Sequence, residues 1–175
     1  MKPILSRRNL ETAIHAFVTS RLDYCNSLYY GISQASNSRL QLVQNAAARL
    51  LEGKRKFDHI TPILKSLHWL PVKYRIEFKI VLFVYKTLNN LAPQYLTDLL
   101  TPYTPSRNLR SSDPGRLTVP KVKLKKRGDR TFAAAGPKLW NSLPPSIRHA
   151  PSICTFKSVL ILAAIFDLIL VFIFR

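Results

Sequence analysis

The fold is most directly inferred from one segment, VKYRIEFKIVLFVYKTLNNLAP, which covers residues 72–93. Its apolar side chains recur at helical spacing and fill two faces of a helix. One face carries Tyr74, Phe78, Val81 and Tyr85, and the other carries Ile76, Ile80, Phe83 and Thr87. A helix that is apolar on nearly all sides is normally buried. We therefore predict a central core helix that ends at Asn89-Asn90.

A first helix is predicted upstream, over about residues 7–30, because apolar residues recur there near helical spacing. This region contains SRLDYCNSLYYG, residues 20–31, which has the residue types of a catalytic or metal-binding cluster. In a helix, however, Asp23 and Cys25 lie on different sides. We therefore predict that Tyr24 packs, that Asp23 forms a hydrogen bond or an ion pair locally, and that the stretch has no catalytic role.

A second helix is predicted within SNSRLQLVQNAAARLLEG, residues 36–53. Ser36 or Asn37 is the expected N-cap, and the glycine at the end is the expected stop. Gln41 and Gln44 are predicted to lie largely off the buried stripe. That stripe is predicted to consist of Leu40, Val43, Ala47 and Leu50 or Leu51.

The charge of the chain is its most unusual property. It holds 27 Lys and Arg against 9 Asp and Glu, which gives a formal net charge of +18. A compact domain with this imbalance repels itself, and binding to a polyanion relieves the repulsion. RNA or DNA is therefore the first candidate partner and an anionic membrane surface the second. No small-molecule substrate is predicted.

The composition changes at Thr101, where large aliphatic residues become rare and Pro, Ser and Arg become frequent. One or two short strands are predicted around Pro120. This arm is the predicted contact for a phosphate backbone. The alternative is a solvated, highly charged linker, because no aromatic residues alternate with the charges. The candidate binding residues are Arg107, Arg110, Arg116, Lys121, Lys123, Lys125, Lys126, Arg127 and Arg130.

The chain becomes apolar again after the arm. In residues 132–150, Phe132, Leu139 and Trp140 are predicted to anchor the chain to the helical core. Residues 151–175 are predicted to form a hydrophobic helix, and a bilayer span needs about 20 apolar residues. Two alternatives remain for this helix. It inserts in a membrane as a C-terminal anchor and leaves the basic part of the protein in the cytosol, or it is buried in the protein. The candidate membrane segment comprises Val159, Leu160, Ile161, Leu162, Ile165, Phe166, Leu168, Ile169, Leu170, Val171, Phe172, Ile173 and Phe174.

No cofactor or metal site is predicted. Cys25 and Cys154 are far apart and the four histidines are scattered, whereas a zinc site needs ligands at short spacings. Two distant cysteines suit a reducing compartment, and the N-terminus shows no secretory signal pattern. These features favour the cytoplasm or nucleus, or a membrane if the apolar helix inserts.

Four phrases that follow one another in order resemble a known family. They are SRLDYCNSLYYG, RLQLVQNAAARLL, DHITPILKSLHWLPVKYRIEFKIVLFVYKTLNNLAPQYLTDLLTPYTPSRNLRSSD and LTVPKVKLKKRGDRTFAAAGPKLWNSLPPSIRHAPSICTFKS. Over about residues 9–158 the chain is similar to the C-terminal region of the reverse transcriptase polyprotein of non-LTR (LINE) retrotransposons, in the jockey-like group. The resemblance implies a position downstream of the polymerase palm, with the first two helices in the thumb and the rest in a C-terminal extension.

The resemblance carries over no catalytic residue. The polymerase of that family holds two Mg²⁺ ions on palm aspartates, typically in an F/Y-x-D-D strand, and this sequence contains no Asp-Asp pair. Two-metal phosphoryl transfer needs converging carboxylates, so we predict that the protein is not an enzyme. After Ser158 the family continues with a polar, basic helix, whereas this chain turns apolar. That change suggests a truncated element read into unrelated sequence.

Three functional hypotheses follow. The first is a non-catalytic C-terminal fragment of a retrotransposon reverse transcriptase that binds the RNA or DNA backbone without sequence preference. The second is a small, single-pass, tail-anchored basic membrane protein. The third is a non-functional product of a wrong gene model.

The predicted fold class is mainly α. A small helical core is expected over residues 1–100, followed by a basic irregular arm with one or two short strands over residues 101–131. A returning segment over residues 132–150 and a hydrophobic C-terminal helix over residues 151–175 complete the predicted organisation.

Overall fold

The computed structural model describes residues 5–105 and 115–165. The chain is mainly α-helical, which confirms the predicted fold class. A π-helical turn covers His15–Thr19 and a 3-10 turn covers Asn26–Tyr29. Extended structure within the described residues consists of an isolated antiparallel bridge between Pro102 and Leu117. The α-helices there are α1 (Arg7–Ile14), α2 (Ser20–Asp23), α3 (Gln34–Leu51), α4 (Ile60–Ser66), α5 (Val72–Leu88), α6 (Gln94–Thr97), α7 (Lys125–Gly128), α8 (Phe132–Ser142), α9 (Pro145–Arg148) and α10 (Ile153–Ile165).

The chain divides into two compact units, and the division falls inside α5. Unit 1 comprises residues 1–76 and unit 2 comprises residues 77–175. The first turn of α5 therefore belongs to unit 1 and the rest of the helix to unit 2. The predicted segment boundaries at residues 100, 131 and 150 rest on composition and stay predictions.

The N-terminal helical region of unit 1 is shorter than predicted. After α1, the π-helical turn and α2 continue the helical path only to Asp23. Cys25 then adopts a φ of +48°, a left-handed conformation that interrupts a right-handed helix. The prediction of one helix over residues 7–30 is wrong beyond residue 23, because hydrophobic spacing carries no signal for a left-handed residue.

Asp23 forms a long-range ion pair rather than a local one. Its Oδ2 accepts a hydrogen bond of 2.7 Å from Nη2 of Arg75 in the first turn of α5. Tyr24 is exposed, so the prediction that it packs is also wrong. The stretch around Cys25 is therefore a corner of unit 1, stabilised by a partner that lies 52 residues away in the sequence.

Helix α3 begins earlier than predicted and buries a partly different face. Its N-cap is Ser33, whose Oγ accepts a hydrogen bond from the Ser36 amide. Val43, which was predicted to be buried, is 49% exposed, and that prediction is wrong. Ala47 is buried as predicted, and of the two alternatives Leu50 and Leu51 it is Leu51 that is buried. The buried residues are Gln44, Ala47, Ala48 and Leu51.

Gln44 is buried because its amide serves as a hydrogen-bond partner for the backbone. Its Nε2 donates to the Leu70 carbonyl at 2.8 Å. Beside it, Gln41 Oε1 accepts from the Val72 amide at 2.8 Å, and Gln41 Nε2 donates to Gln44 Oε1 at 2.9 Å. The Val72 amide is one of the groups that the start of α5 leaves without an intrahelical partner. The prediction that Gln44 lies off the stripe is wrong, because hydrophobicity does not reveal such partners.

Replacing Gln44 with alanine is expected to lower the free energy of unfolding by about 1–3 kcal/mol, because the Leu70 carbonyl loses its buried donor. Gln34→Ala, at an exposed position in the first turn of the same helix, is the matched control and should change it by less than about 0.5 kcal/mol. Urea unfolding followed by circular dichroism measures both. Equal losses in the two variants would show that the Leu70 carbonyl is satisfied in another way.

The core of unit 1 is built on small residues of α3. Ala48 is fully buried with Ile63 and Leu64 of α4. Ala47 and Leu51 pack with Ile14, the last residue of α1. Small side chains at the contact allow two helices to approach closely. Helix α3 therefore lies between α1 and α4 as the centre of this unit.

The core of unit 2 is a stack of aromatic rings. The Phe156 side chain is fully buried, and its ring centroid lies 4.2 Å from that of Tyr85 and 6.1 Å from that of Trp140. Tyr85 also donates its hydroxyl to the Ala150 carbonyl at 2.9 Å. Leu139 and Trp140 are buried as predicted. The stack joins α5, α8 and α10 within unit 2.

Gly136 allows α8 to lie directly against α5. A Cβ atom at this position would be 3.0 Å from Cγ2 of Val84, a fully buried residue. A side chain at residue 136 would therefore require the Val84 side chain to shift by a few tenths of an ångström.

The first part of the predicted C-terminal hydrophobic helix is α10. Phe156 and Leu160 are buried, whereas Val159 and Leu162 are exposed. None of the helices in the described part of the chain has the length and apolar character needed to cross a bilayer. Residues 166–174 of the predicted membrane segment lie outside the described residues, and the tail-anchor hypothesis stays a prediction.

Candidate nucleic-acid interface

The basic arm, defined here as residues 115–131, is attached to α8 through the side chain of an asparagine. Asn141 Oδ1 accepts from the Leu117 amide at 2.9 Å, and Asn141 Nδ2 donates to the Leu117 carbonyl at 2.7 Å. A side-chain amide can donate and accept at once, so Asn141 bonds both backbone groups of Leu117 as a neighbouring strand would. Leu117 is 3% exposed. The arm therefore starts from a fixed, buried point.

Two further contacts hold the start of the arm. Trp140 Nε1 donates to the Gly115 carbonyl at 2.8 Å. The amide of Tyr103 donates to the Arg116 carbonyl at 3.0 Å, next to the bridge. The arm is thus bonded to α8 and to the segment that follows α6.

The burial of Leu117 sets the direction of its neighbours. Successive side chains of an extended segment point to opposite faces. With Leu117 turned inward, Arg116 and Thr118 are both exposed. The same hydrogen bonds that fix the backbone therefore place a guanidinium on the surface.

The second half of the arm folds back on itself at a glycine. A Cβ atom at Gly128 would lie 2.7 Å from Cβ of Val122, a separation that real side chains do not tolerate. The Gly128 amide donates to the Leu124 carbonyl at 2.7 Å. These contacts close a loop that contains the short helix α7, and the side chains of Lys123 and Arg127 in this loop are exposed.

Most of the predicted binding residues lie in this arm. Arg107 and Arg110 lie outside the described residues. Lys125 and Lys126 form the first half of α7. The predicted residues whose side chains are exposed on the arm are Arg116, Lys121, Lys123, Arg127 and Arg130. Seven of the nine predicted residues therefore lie in the arm, and five of the seven have exposed side chains.

The arm carries a single acid, Asp129, and that acid has a partner outside the arm. Its Oδ1 lies 2.7 Å from Nζ of Lys138 in α8. Lys138 of α8 therefore forms an ion pair with the one acid of the arm. The surface of the arm remains strongly positive, which favours contact with a polyanion.

The described residues hold no metal site. Within residues 5–105 and 115–165, no three His, Cys, Asp or Glu side chains are close enough to hold a metal ion. The chemistry of the arm is that of ammonium and guanidinium groups, which donate hydrogen bonds to phosphate oxygens.

Sequence reasoning located the arm but missed two residues that position it. Asn141 directly follows the predicted anchors Leu139 and Trp140, but nothing in the sequence identifies Leu117 as its partner. Lys138 belongs to the apolar returning segment and was not considered with the arm. Both residues act through contacts that only the folded chain creates.

Comparison of the chain with protein-family models, with curated proteins and with solved structures gave no match.

Proposed function

We propose that this protein binds RNA or DNA through the phosphate backbone, without sequence preference, and that the basic arm is its contact surface. One observation carries the proposal: five basic side chains of the arm are exposed, while its one acid is paired with Lys138. Lys and Arg that neutralise phosphates release condensed counterions, and this release drives sequence-independent binding.

Tolerance of sequence follows from the kinds of side chain on the arm. Residues 115–131 contain no aromatic residue, and stacking on bases is the other common contribution to single-strand binding. Ammonium and guanidinium groups on an exposed loop bond first to phosphate oxygens, which are the same at every nucleotide. The arm therefore supplies affinity rather than base discrimination.

We further propose that the chain corresponds to the non-catalytic region downstream of the polymerase palm in LINE-type reverse transcriptases. The ordered phrases over residues 9–158 support this origin. In this role the protein holds a nucleic-acid strand and does not extend it.

The test compares two triple variants with equal loss of charge. The arm variant carries Lys121→Gln, Lys123→Gln and Arg127→Gln. The control carries Arg8→Gln, Arg39→Gln and Lys65→Gln, three exposed positions in unit 1. Fluorescence anisotropy with a labelled single-stranded oligonucleotide, measured over a series of salt concentrations, gives the slope of log K against log salt for each.

For the arm variant, the magnitude of this slope is expected to fall by about 2, because it removes three charges and each phosphate contact on a single strand contributes about 0.7. The control should keep the wild-type slope within about 0.5. Equal slopes for both variants would mean that binding follows total charge alone, and the arm would then not be the interface.

A further inference from the structure

The loop between α3 and α4, residues 53–59, exposes an aromatic ring beside a run of cations. Its sequence is GKRKFDH. The side chain of Phe57 is 91% exposed, so core packing does not account for this residue. Lys54, Arg55 and Lys56 precede it and are all exposed. We call residues 53–59 the Phe57 loop.

The backbone of the Phe57 loop is fixed by its own hydrogen bonds. The Lys54 amide donates to the Arg49 carbonyl at 2.9 Å. The Arg55 amide donates to Oδ2 of Asp58 at 2.7 Å, and the Asp58 amide donates back to the Arg55 carbonyl at 3.2 Å. Arg49 Nη2 donates to the Asp58 carbonyl at 3.1 Å. A ring on such a loop is held out from the surface before any ligand binds, which lowers the ordering cost of binding.

The two acids at this loop already have partners. Glu52 Oε1 lies 2.6 Å from Nη2 of Arg7, and the Asp58 carboxylate accepts the Arg55 amide. The Nζ atom of Lys56 lies over one face of the Phe57 ring, 5.9 Å from its centroid, and the 91% exposure of Phe57 leaves the other face open. The loop therefore combines an open ring face with a positive field, which is the combination that single-stranded nucleic acid requires.

We propose that the Phe57 loop is a second nucleic-acid contact, specific for single strands. An unpaired base stacks on the Phe57 ring, and the phosphates on either side of it pair with Lys54, Arg55 and Lys56. A base inside a duplex has no free face for stacking, so this contact discriminates single strands from duplexes. The inference extends the proposed function, but its residues belong to unit 1, and the basic arm belongs to unit 2.

Insertion of the loop into an anionic membrane is the competing use of the same residues. Phe57 is the only large apolar side chain in residues 53–59, and Asp58 follows it directly. One ring offers a bilayer little apolar area, and the adjacent carboxylate is repelled by anionic lipids. Stacking needs a single ring, so nucleic acid is the better match.

The experiment measures the affinity of the full chain for three ligands by fluorescence anisotropy: a thymidine 20-mer, an abasic 20-mer with the same phosphates, and a duplex. Phe57→Ala is expected to weaken binding to the thymidine 20-mer by about 5- to 150-fold, the range found for losing one stacked base. Binding to the abasic 20-mer and to the duplex should change by less than about twofold, because their contacts are to phosphates.

Three further variants separate stacking from other effects. Phe57→Trp should keep the affinity, and its added tryptophan fluorescence should be quenched by the thymidine 20-mer but not by the abasic one. Phe57→Leu should lose as much affinity as alanine, because it keeps the apolar character without the ring. Tyr95→Ala is the control, because Tyr95 is also exposed but has Asp98 nearby in the sequence and no flanking cation. This variant should leave the affinity for all three ligands unchanged.

Each opposing result is specific. An equal loss with all three ligands, or full affinity in Phe57→Leu, would overturn the stacking contact. Vesicles containing phosphatidylserine test the membrane alternative by co-sedimentation. If Phe57→Leu still sediments with them and Phe57→Ala does not, the loop is a membrane contact instead. If the arm variant loses salt dependence while Phe57→Ala has no effect, only this inference fails. If Phe57→Ala weakens binding to the thymidine 20-mer while the arm variant keeps its salt dependence, only the proposal for the basic arm fails.

Discussion

Replacing Phe156 with alanine is expected to destabilise the protein by about 3–5 kcal/mol, the cost of removing a fully buried phenylalanine. Its side chain is inaccessible to solvent and stacks on Tyr85 at 4.2 Å. The loss includes the transfer free energy of the ring, the cavity that remains, and the contact with Tyr85 and Trp140. Because these residues belong to α5, α8 and α10, the cavity would open between all three helices.

Urea unfolding followed by circular dichroism and by tryptophan fluorescence measures this effect, since Trp140 lies next to the cavity. Val159→Ala, on an exposed position of the same helix, is the matched control and should cost less than about 1 kcal/mol. Phe156→Leu should recover part of the loss by filling some of the volume. Equal stability of the alanine variant and the control would mean that α10 does not pack in unit 2.

Replacing Asn141 with alanine is expected to cost about 2–5 kcal/mol and to release the basic arm. Two buried backbone groups of Leu117 each lose their partner, and an unsatisfied buried polar group costs about 1–3 kcal/mol. Asn141→Asp should also be destabilising, because a carboxylate accepts from the Leu117 amide but faces the Leu117 carbonyl without a proton to donate. The geometry of both bonds is close to ideal, at 2.9 and 2.7 Å.

The release of the arm has its own measurement. Trypsin cleavage after Lys121 and Lys123 should be faster in Asn141→Ala than in wild type, at urea concentrations where both remain folded. Ser142→Ala is the matched control, because the Ser142 hydroxyl donates only to the Leu139 carbonyl within α8. A variant that loses stability without faster cleavage would show that Leu117 is held by its burial rather than by the amide of Asn141.

Several elements could be predicted because their signals are local. The core helix over residues 72–93 was predicted from the periodicity of its apolar residues, and α5 ends at Leu88, just before Asn89-Asn90. The anchors Leu139 and Trp140 were identified by size and apolarity, and both are buried. In each case the deciding residues lie within a few positions of one another, so a window along the chain contains the whole signal.

The errors occur where a polar group finds a distant partner or where one residue leaves the regular backbone. Gln44 is buried because Leu70 lies beside it in the fold. The helical path ends after Asp23 because Cys25 turns left-handed, and the Asp23 carboxylate pairs with the distant Arg75. Hydrophobic patterning treats Gln as a surface residue, and it therefore assigns Gln44 to the wrong environment.

The sequence by itself determined that the protein is mainly helical, strongly basic and without paired aspartates. These properties depend on composition and on short-range spacing, and no tertiary contact is needed to read them. Only the tertiary structure decided that Asn141 fixes the basic arm and that the Phe57 ring is exposed. Asn141 meets Leu117 across 24 residues and Asp23 meets Arg75 across 52. Such pairs form because folding brings distant polar groups together and withdraws them at least partly from water, so that each must find a partner in the protein.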